Sequence, residues 1–250
     1  MLYVSVNNKK LTYTAFQALT LDMQTADDML FPIRLPYINE IERNNILNMK
    51  FERVVTYILN KFFPLFDKID QLQSCLREFC PHIEILDRKT RIISYKSMKD
   101  LERKIATILT GKQAPLSLWA CCALRISMLF GVYSNIDVPD PDFAICTSDP
   151  ISYLSILVSV AMGLPAGKII CGSECEDSLC RYMRSYIVGL DLKEFYDFVV
   201  SERRAEEIVK GVLGSYKQQI CKSAAFSYGA LQDYRATIGD HRHTVLMNEL

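Results

Sequence analysis

Residues 143–171, FAICTSDPISYLSILVSVAMGLPAGKIIC, decide the fold. Phe143–Cys146 is a short apolar run of the kind a buried strand makes. Thr147, Ser148, Asp149 and Pro150 form a turn that opens a helix, Ile151–Met162, and Gly163 and Pro165 stand where that helix stops. Lys168–Cys171 is a second buried strand. Strand, helix and strand in this order predict a βαβ unit, and so an α/β protein with a parallel sheet. Such sheets take ligands at the carboxyl ends of their strands, which here means Thr147–Ser152. A helix N-terminus at that place offers backbone N–H groups and a positive dipole end to an anion. The same residues also read as a plain helix cap, with Ser148 or Asp149 as N-cap and Pro150 at the first helical position.

The 250 residues are long enough for one large domain or two small ones. Half are apolar and 23% charged, and the formal net charge is zero. Nothing in that balance attracts nucleic acid or an anionic membrane surface, so neither partner is expected. The opening MLYVSVNNKKL has no basic stretch followed by an apolar one, so no secretory signal is expected. The longest apolar runs, 116–133 with Arg125 inside it and 151–164, suit buried helices rather than membrane spans. Nine cysteines lie at no repeating spacing, without a CxxC, and His82, His241 and His243 are remote in sequence from Cys171, Cys175 and Cys180. Free, mostly buried thiols in a reducing cytoplasm are the expectation, with no metal site.

Outward from the central unit the chain reads mainly as helices. Leu2–Val6 is a strand, followed by a helix near Thr12–Leu19 and a loop over Leu30–Pro36. Helices are predicted over Ile38–Met49, Met49–Phe66 and Ile69–Phe79, the second from Val54, Val55, Ile58, Leu59, Phe62 and Phe63 at helical spacing. Ile83–Leu86 and Arg91–Tyr95 are short strands around a turn. Lys99–Leu109 and Leu116–Phe130 are helices, and Ser134–Asp142 is a linker. Beyond the central unit, Glu174–Val188, Leu192–Val200, Ser201–Gly214 and Ser223–Arg235 read as helical, and His243–Met247 as a last strand.

Taken together, these segments resemble threonine synthase, a pyridoxal-phosphate (PLP) enzyme of the tryptophan-synthase-β fold type. Tyr3-Val4-Ser5 and Ala26–Pro32 resemble the family's opening strand and its D-G-G-L-F-V-P-like loop. Ser97-Met98-Lys99-Asp100 resembles the A-F-K-D segment that carries the coenzyme lysine, with Lys96 a near competitor. Cys146–Ser152 resembles the phosphate loop P-T-G-N-F-G-N, and the apolar helix, Met162-Gly163-Leu164-Pro165 and strand after it resemble the family's next elements. Asp233-Tyr234-Arg235, Gly239-Asp240 and Thr244-Val245 resemble the last helix and strand. The resemblance implies a parallel-sheet PLP type II core over residues 91–250 with a helical N-terminal region over 1–90. It also implies PLP as coenzyme, Lys99 as Schiff-base lysine, and Thr147, Ser148 and Ser152 as holders of the phosphate. The implied reaction converts O-phosphohomoserine and water to threonine and phosphate.

The chemical parts of the pattern are eroded. The two glycines of the phosphate loop are replaced by Ser148 and Ile151, Pro150 has no N–H, and Asp149 adds a negative charge where a dianion belongs. Two like charges about 4 Å apart repel by about 4 kcal/mol at an effective dielectric near 20. The small α/β domain with an S-G-D-T-G loop, which the family inserts between the lysine and the phosphate loop, has no counterpart in the short span from Lys99 to Thr147. The T-A-S-P-like segment that supplies a partner to the pyridine nitrogen is also lacking after Thr244-Val245. The reading favoured by these losses is a degenerate relative without bound PLP, in a structural or regulatory role. The alternative is a working PLP enzyme, a threonine synthase or a related lyase acting on O-phosphohomoserine. The open sheet edge and the apolar surface left by the missing domain lead to an expectation of self-association or a protein partner.

Overall fold

The computed structural model describes residues 1–5, 10–21, 30–95, 97–113, 115–147, 149–174, 195–239 and 242–249. The chain forms two compact units that interleave along the sequence. One comprises Met1–Cys80, Ser97–Asp137 and Val158–Leu164, and the other Pro81–Lys96, Val138–Leu157 and Pro165–Leu250.

In the first unit, β1 (Leu2–Ser5) is flanked by β2 (Thr12–Thr14) and β3 (Leu30–Pro32), all antiparallel. Neither β2 nor β3 is expected from sequence. Thr12–Thr14 pairs with β1, and helix α1 starts only at Ala15 and runs to Thr20, capped by Thr14 in a reciprocal capping box with Gln17. Helices α2 (Glu40–Ile46), α3 (Phe51–Phe62), α4 (Ile69–Glu78), α5 (Met98–Thr110) and α6 (Leu118–Tyr133) belong to the same unit, with a 3₁₀ turn over Phe66–Lys68. The α6 sequence, LWACCALRISMLFGVY, is apolar nearly all round, so it lies in the interior rather than on a surface. Trp119 sits at its start with edge-on contacts to Phe31 and Phe62 at 4.8 and 5.6 Å between ring centres. Tyr3 joins this cluster and donates its hydroxyl to the Phe62 carbonyl at 2.7 Å. Gly131 lets α6 approach α3 closely, because a Cβ there would stand 2.8 Å from the Phe51 ring.

The second unit is built on a six-stranded sheet. Its strands are β4 (His82–Asp87), β5 (Thr90–Tyr95), β6 (Asp142–Cys146), β7 (Ile169–Ser173), β8 (Phe195–Val199) and β9 (Thr244–Glu249). Their order across the sheet is β4-β5-β9-β6-β7-β8, parallel throughout except for the β4–β5 hairpin. The expected α/β class with a mainly parallel sheet is therefore what the chain forms. Parallel strands covered on both faces have no polar side, which is why Asp142–Cys146 is buried at every position. Helix α7 (Pro150–Ala161) makes the crossover from β6 to β7. It ends as its sequence predicts: Gly163 takes a left-handed φ of +96°, and the Leu164 N–H reaches back to the Ser159 carbonyl at 2.9 Å. Helices α8 (Glu202–Tyr216) and α9 (Lys222–Ile238) pack their apolar residues with Ile92, Ala144, Ile170 and Leu246 of the sheet.

In the described part of the helix expected over Leu192–Val200, Phe195–Val199 is instead the edge strand β8, parallel to β7 from Ile169↔Phe195 to Ser173↔Val199. FYDFVV is aromatic and β-branched, and that preference together with the free edge of β7 decides the outcome. The helix expected over Glu174–Val188 lies outside the described residues.

Candidate functional site

The strand ends named by the sequence converge at one place in the second unit. β6 ends at Cys146, and Thr147 continues its pairing by donating its N–H to the Gly172 carbonyl of β7 at 3.1 Å. The chain then turns into α7 through Asp149. The Asp149 carbonyl accepts the first helical hydrogen bond, from the Tyr153 N–H at 3.0 Å, which makes Asp149 the N-cap. Its carboxylate covers the helix end. Oδ1 accepts from the Ile151 N–H at 3.0 Å, and Oδ2 accepts from the Ser152 hydroxyl at 2.7 Å. Between the two expected candidates for the cap, the structure selects Asp149. Ser148 lies outside the described residues.

A phosphate seated at this helix end would need the first-turn donors pointing at it. Pro150 has no N–H to offer. The Ile151 N–H and the Ser152 hydroxyl are engaged by the Asp149 carboxylate, and the Thr147 N–H by β7. A dianion would displace those bonds and face a carboxylate at contact distance. The residues present do not fit a phosphate; they fit the negative charge already there.

Two further features close in on the carboxyl ends of the strands. At Gly172 the sheet meets α9 with no room between backbones, because a Cβ there would lie 2.2 Å from the Phe226 carbonyl oxygen. At the end of β9, the fully buried Asn248 ties three segments together. Its Oδ1 accepts from the Cys221 N–H at 2.8 Å, and its Nδ2 donates to Ser94 Oγ at 3.0 Å and to the Gln219 carbonyl at 3.1 Å. Donor and acceptor roles on the amide are fixed by a backbone N–H on one side and a backbone C=O on the other. Asn248 therefore holds the start of α9 against β5. The sequence alone does not single it out. Its one signal there is an amide placed just after the largely apolar run Thr244–Met247.

Lys99 is the second residue of α5 and is exposed, on a first turn where the Ser97 side chain accepts from the Asp100 N–H at 3.3 Å. It belongs to the first unit, whereas Thr147 and Ser152 belong to the second. Lys96 is outside the described residues. Of the expected site residues, Ser152 bonds to Asp149 and Thr147 to β7, both within the second unit.

Among the described residues no cluster of His, Cys, Asp and Glu could hold a metal ion. Seven cysteines among them are thiols outside any disulfide, and burial drives the Cys121 thiol far above its ordinary range, which keeps it protonated. No helix of the described residues is long and apolar enough to cross a membrane.

A mainly parallel α/β sheet with a crossover helix starting at its carboxyl edge defines the structural class. Within that class the chain is similar to solved threonine synthases. The enzyme from Escherichia coli matches with a TM-score of 0.74 at 11% identity, over 99% of this chain and 88% of that one. PLP-bound threonine synthase from Brucella melitensis matches at 0.73 and 9% identity, over 99% and 88%. The yeast enzyme matches at 0.71 and 10% identity, over 99% and 86%. At such identities the likeness is one of fold. No protein-family model and no curated protein matches the sequence.

Proposed function

We propose that this chain is a threonine synthase-like protein that has lost PLP catalysis and acts in a structural or regulatory capacity, through a second copy of itself or a protein partner. The observation that carries the reading is the span between Lys99 and Thr147. It consists of the rest of α5, then α6 and β6, joined by short connections. In the enzymes this chain resembles, a small domain enters at that point and closes over the substrate. Closure is what excludes water and completes such a site, and two helices and a core strand offer nothing that could close. The exposure of Lys99 supports the same reading, because a Schiff-base lysine works in a sheltered cleft. PLP, when bound to an enzyme of this fold, supplies the electron sink for the substrate's reacting carbon.

The test is chemical trapping. The purified chain is incubated with excess PLP, reduced with borohydride, and mapped by mass spectrometry beside Lys99→Ala. Scattered low-level labelling of surface lysines is the expected result, with no threonine formed from O-phosphohomoserine. A single adduct per chain at Lys99, lost in the variant and accompanied by threonine formation, overturns the reading in favour of a working synthase.

A further inference from the structure

We infer that Asp149 is a resident anion: its carboxylate has taken over the place of a ligand phosphate at the start of α7, so the folded chain gains nothing from a phosphate-bearing coenzyme. This rests on the non-catalytic reading and gives it a physical cause. The disagreement between fold and residues is specific. The fold presents a 12-residue helix at the carboxyl edge of a parallel sheet, where ligand anions bind. The chain fills that place from within, with both carboxylate oxygens used, one on the Ile151 N–H and one on the Ser152 hydroxyl. Pro150 removes one first-turn donor altogether, so fewer are left for an outside ligand than the helix end would otherwise offer. An internal carboxylate has a further advantage. It is held at the helix by its own backbone, so it loses no translational freedom on binding, whereas a free anion does. Competition between the two therefore favours Asp149.

The inference is tested on the full chain by thermal unfolding in inorganic phosphate against chloride at equal ionic strength. The wild type is expected to show only the shallow, non-saturating rise that phosphate gives any folded chain. Asp149→Ala is expected to unfold on the order of 2–4 °C lower in chloride, the usual effect of losing an N-cap in a chain of this length. Phosphate is expected to restore part of that loss, saturably, because the donors are then open. A merely structural cap would not show that recovery. Should Asp149→Ala fail to fold, Asp149→Asn keeps a neutral acceptor on the helix and loses the charge, and phosphate should raise its midpoint saturably, beyond the rise seen for the wild type. A saturable phosphate effect on the wild type overturns the inference, and so does a variant indifferent to phosphate. These outcomes are separable from the trapping experiment. A Lys99 adduct refutes the non-catalytic reading whatever phosphate does, and an indifferent Asp149 variant refutes the resident anion even where no adduct forms.

Discussion

Gly172→Ala is the perturbation that most directly tests how the sheet and α9 are joined. The new Cβ would stand 2.2 Å from the Phe226 carbonyl oxygen, 2.6 Å from its carbonyl carbon and 3.0 Å from the Ser227 nitrogen. All three are backbone atoms inside a 17-residue helix, so no side chain can rotate away. Reaching ordinary contact requires α9 to retreat from β7 by about 1 Å. That retreat would loosen the packing of Ala224, Ala225, Phe226, Tyr228 and Ala230, each of them buried. Overpacking of this kind costs about 1–3 kcal/mol when the surroundings can yield, and a backbone clash belongs at the top of that range. At about 2–4 °C per kcal/mol for a chain of this size, the unfolding midpoint should fall by roughly 6–12 °C. Gly211→Ala is the matched control. It sits in α8 with no heavy atom within 4 Å of its would-be Cβ, so it should stabilise by about 0.5–1 kcal/mol through helix propensity alone. Circular dichroism gives the midpoints. Hydrogen exchange on peptides from β7 and α9 locates the loss, while the single tryptophan, Trp119, reports separately on the first unit. A Gly172→Ala midpoint within about 1 °C of wild type, or equal losses in the two variants, would refute the close-approach argument.

Two further outcomes are expected. Asn248→Ala removes the partner of the Cys221 N–H and of the Gln219 carbonyl, both in part-buried bonds worth roughly 0.5–1.5 kcal/mol each, and should raise exchange at the start of α9 more than at its end. Burial pushes the Tyr228 phenol up to about 12. Its folded value thus lies above the unfolded value near 10, so the folded chain binds more protons between those limits. The contribution is fully present below about pH 10 and is lost as pH rises towards 12, at about 1.4 kcal/mol per pH unit. Denaturant midpoints measured from about pH 9 to 12 should fall more steeply for the wild type than for Tyr228→Phe, and parallel curves would contradict the assignment.

The parts of this fold that are legible in the sequence are the parts whose cause is local. β6, α7 and β7 are delimited by apolar runs, a proline at the helix start and a glycine at its end, and the structure puts their boundaries within a residue or two of those signals. The helices α4 and α8 follow from 3.6-residue periodicity. β8 reads wrongly as helix because Phe195–Val199 lacks a decisive period, and its pairing with β7 is not a property of the segment itself. β2 and β3 are only three residues each and exist through β1. At the site, the cap is legible because Asp, Pro and a following apolar helix are neighbours in sequence. Which donors the carboxylate takes is not, since that depends on side-chain geometry. Asn248 is invisible for a related reason: its three partners come from β5 and from the approach to α9, far away along the chain.

The strand order carries a consequence for how the molecule is made. β9 comes after every other strand in the chain, yet it lies third in the sheet, joining β5 to β6. Until it emerges from the ribosome, the β4–β5 hairpin and the β6–β7–β8 group share no backbone hydrogen bonds, and each shows an unpaired edge to its surroundings. Contacts that span so much chain form late and slowly. The nascent protein therefore passes through a window of vulnerability to stray pairing whose duration is set by the pace of translation, and chaperone demand during synthesis should exceed anything the finished sheet would suggest.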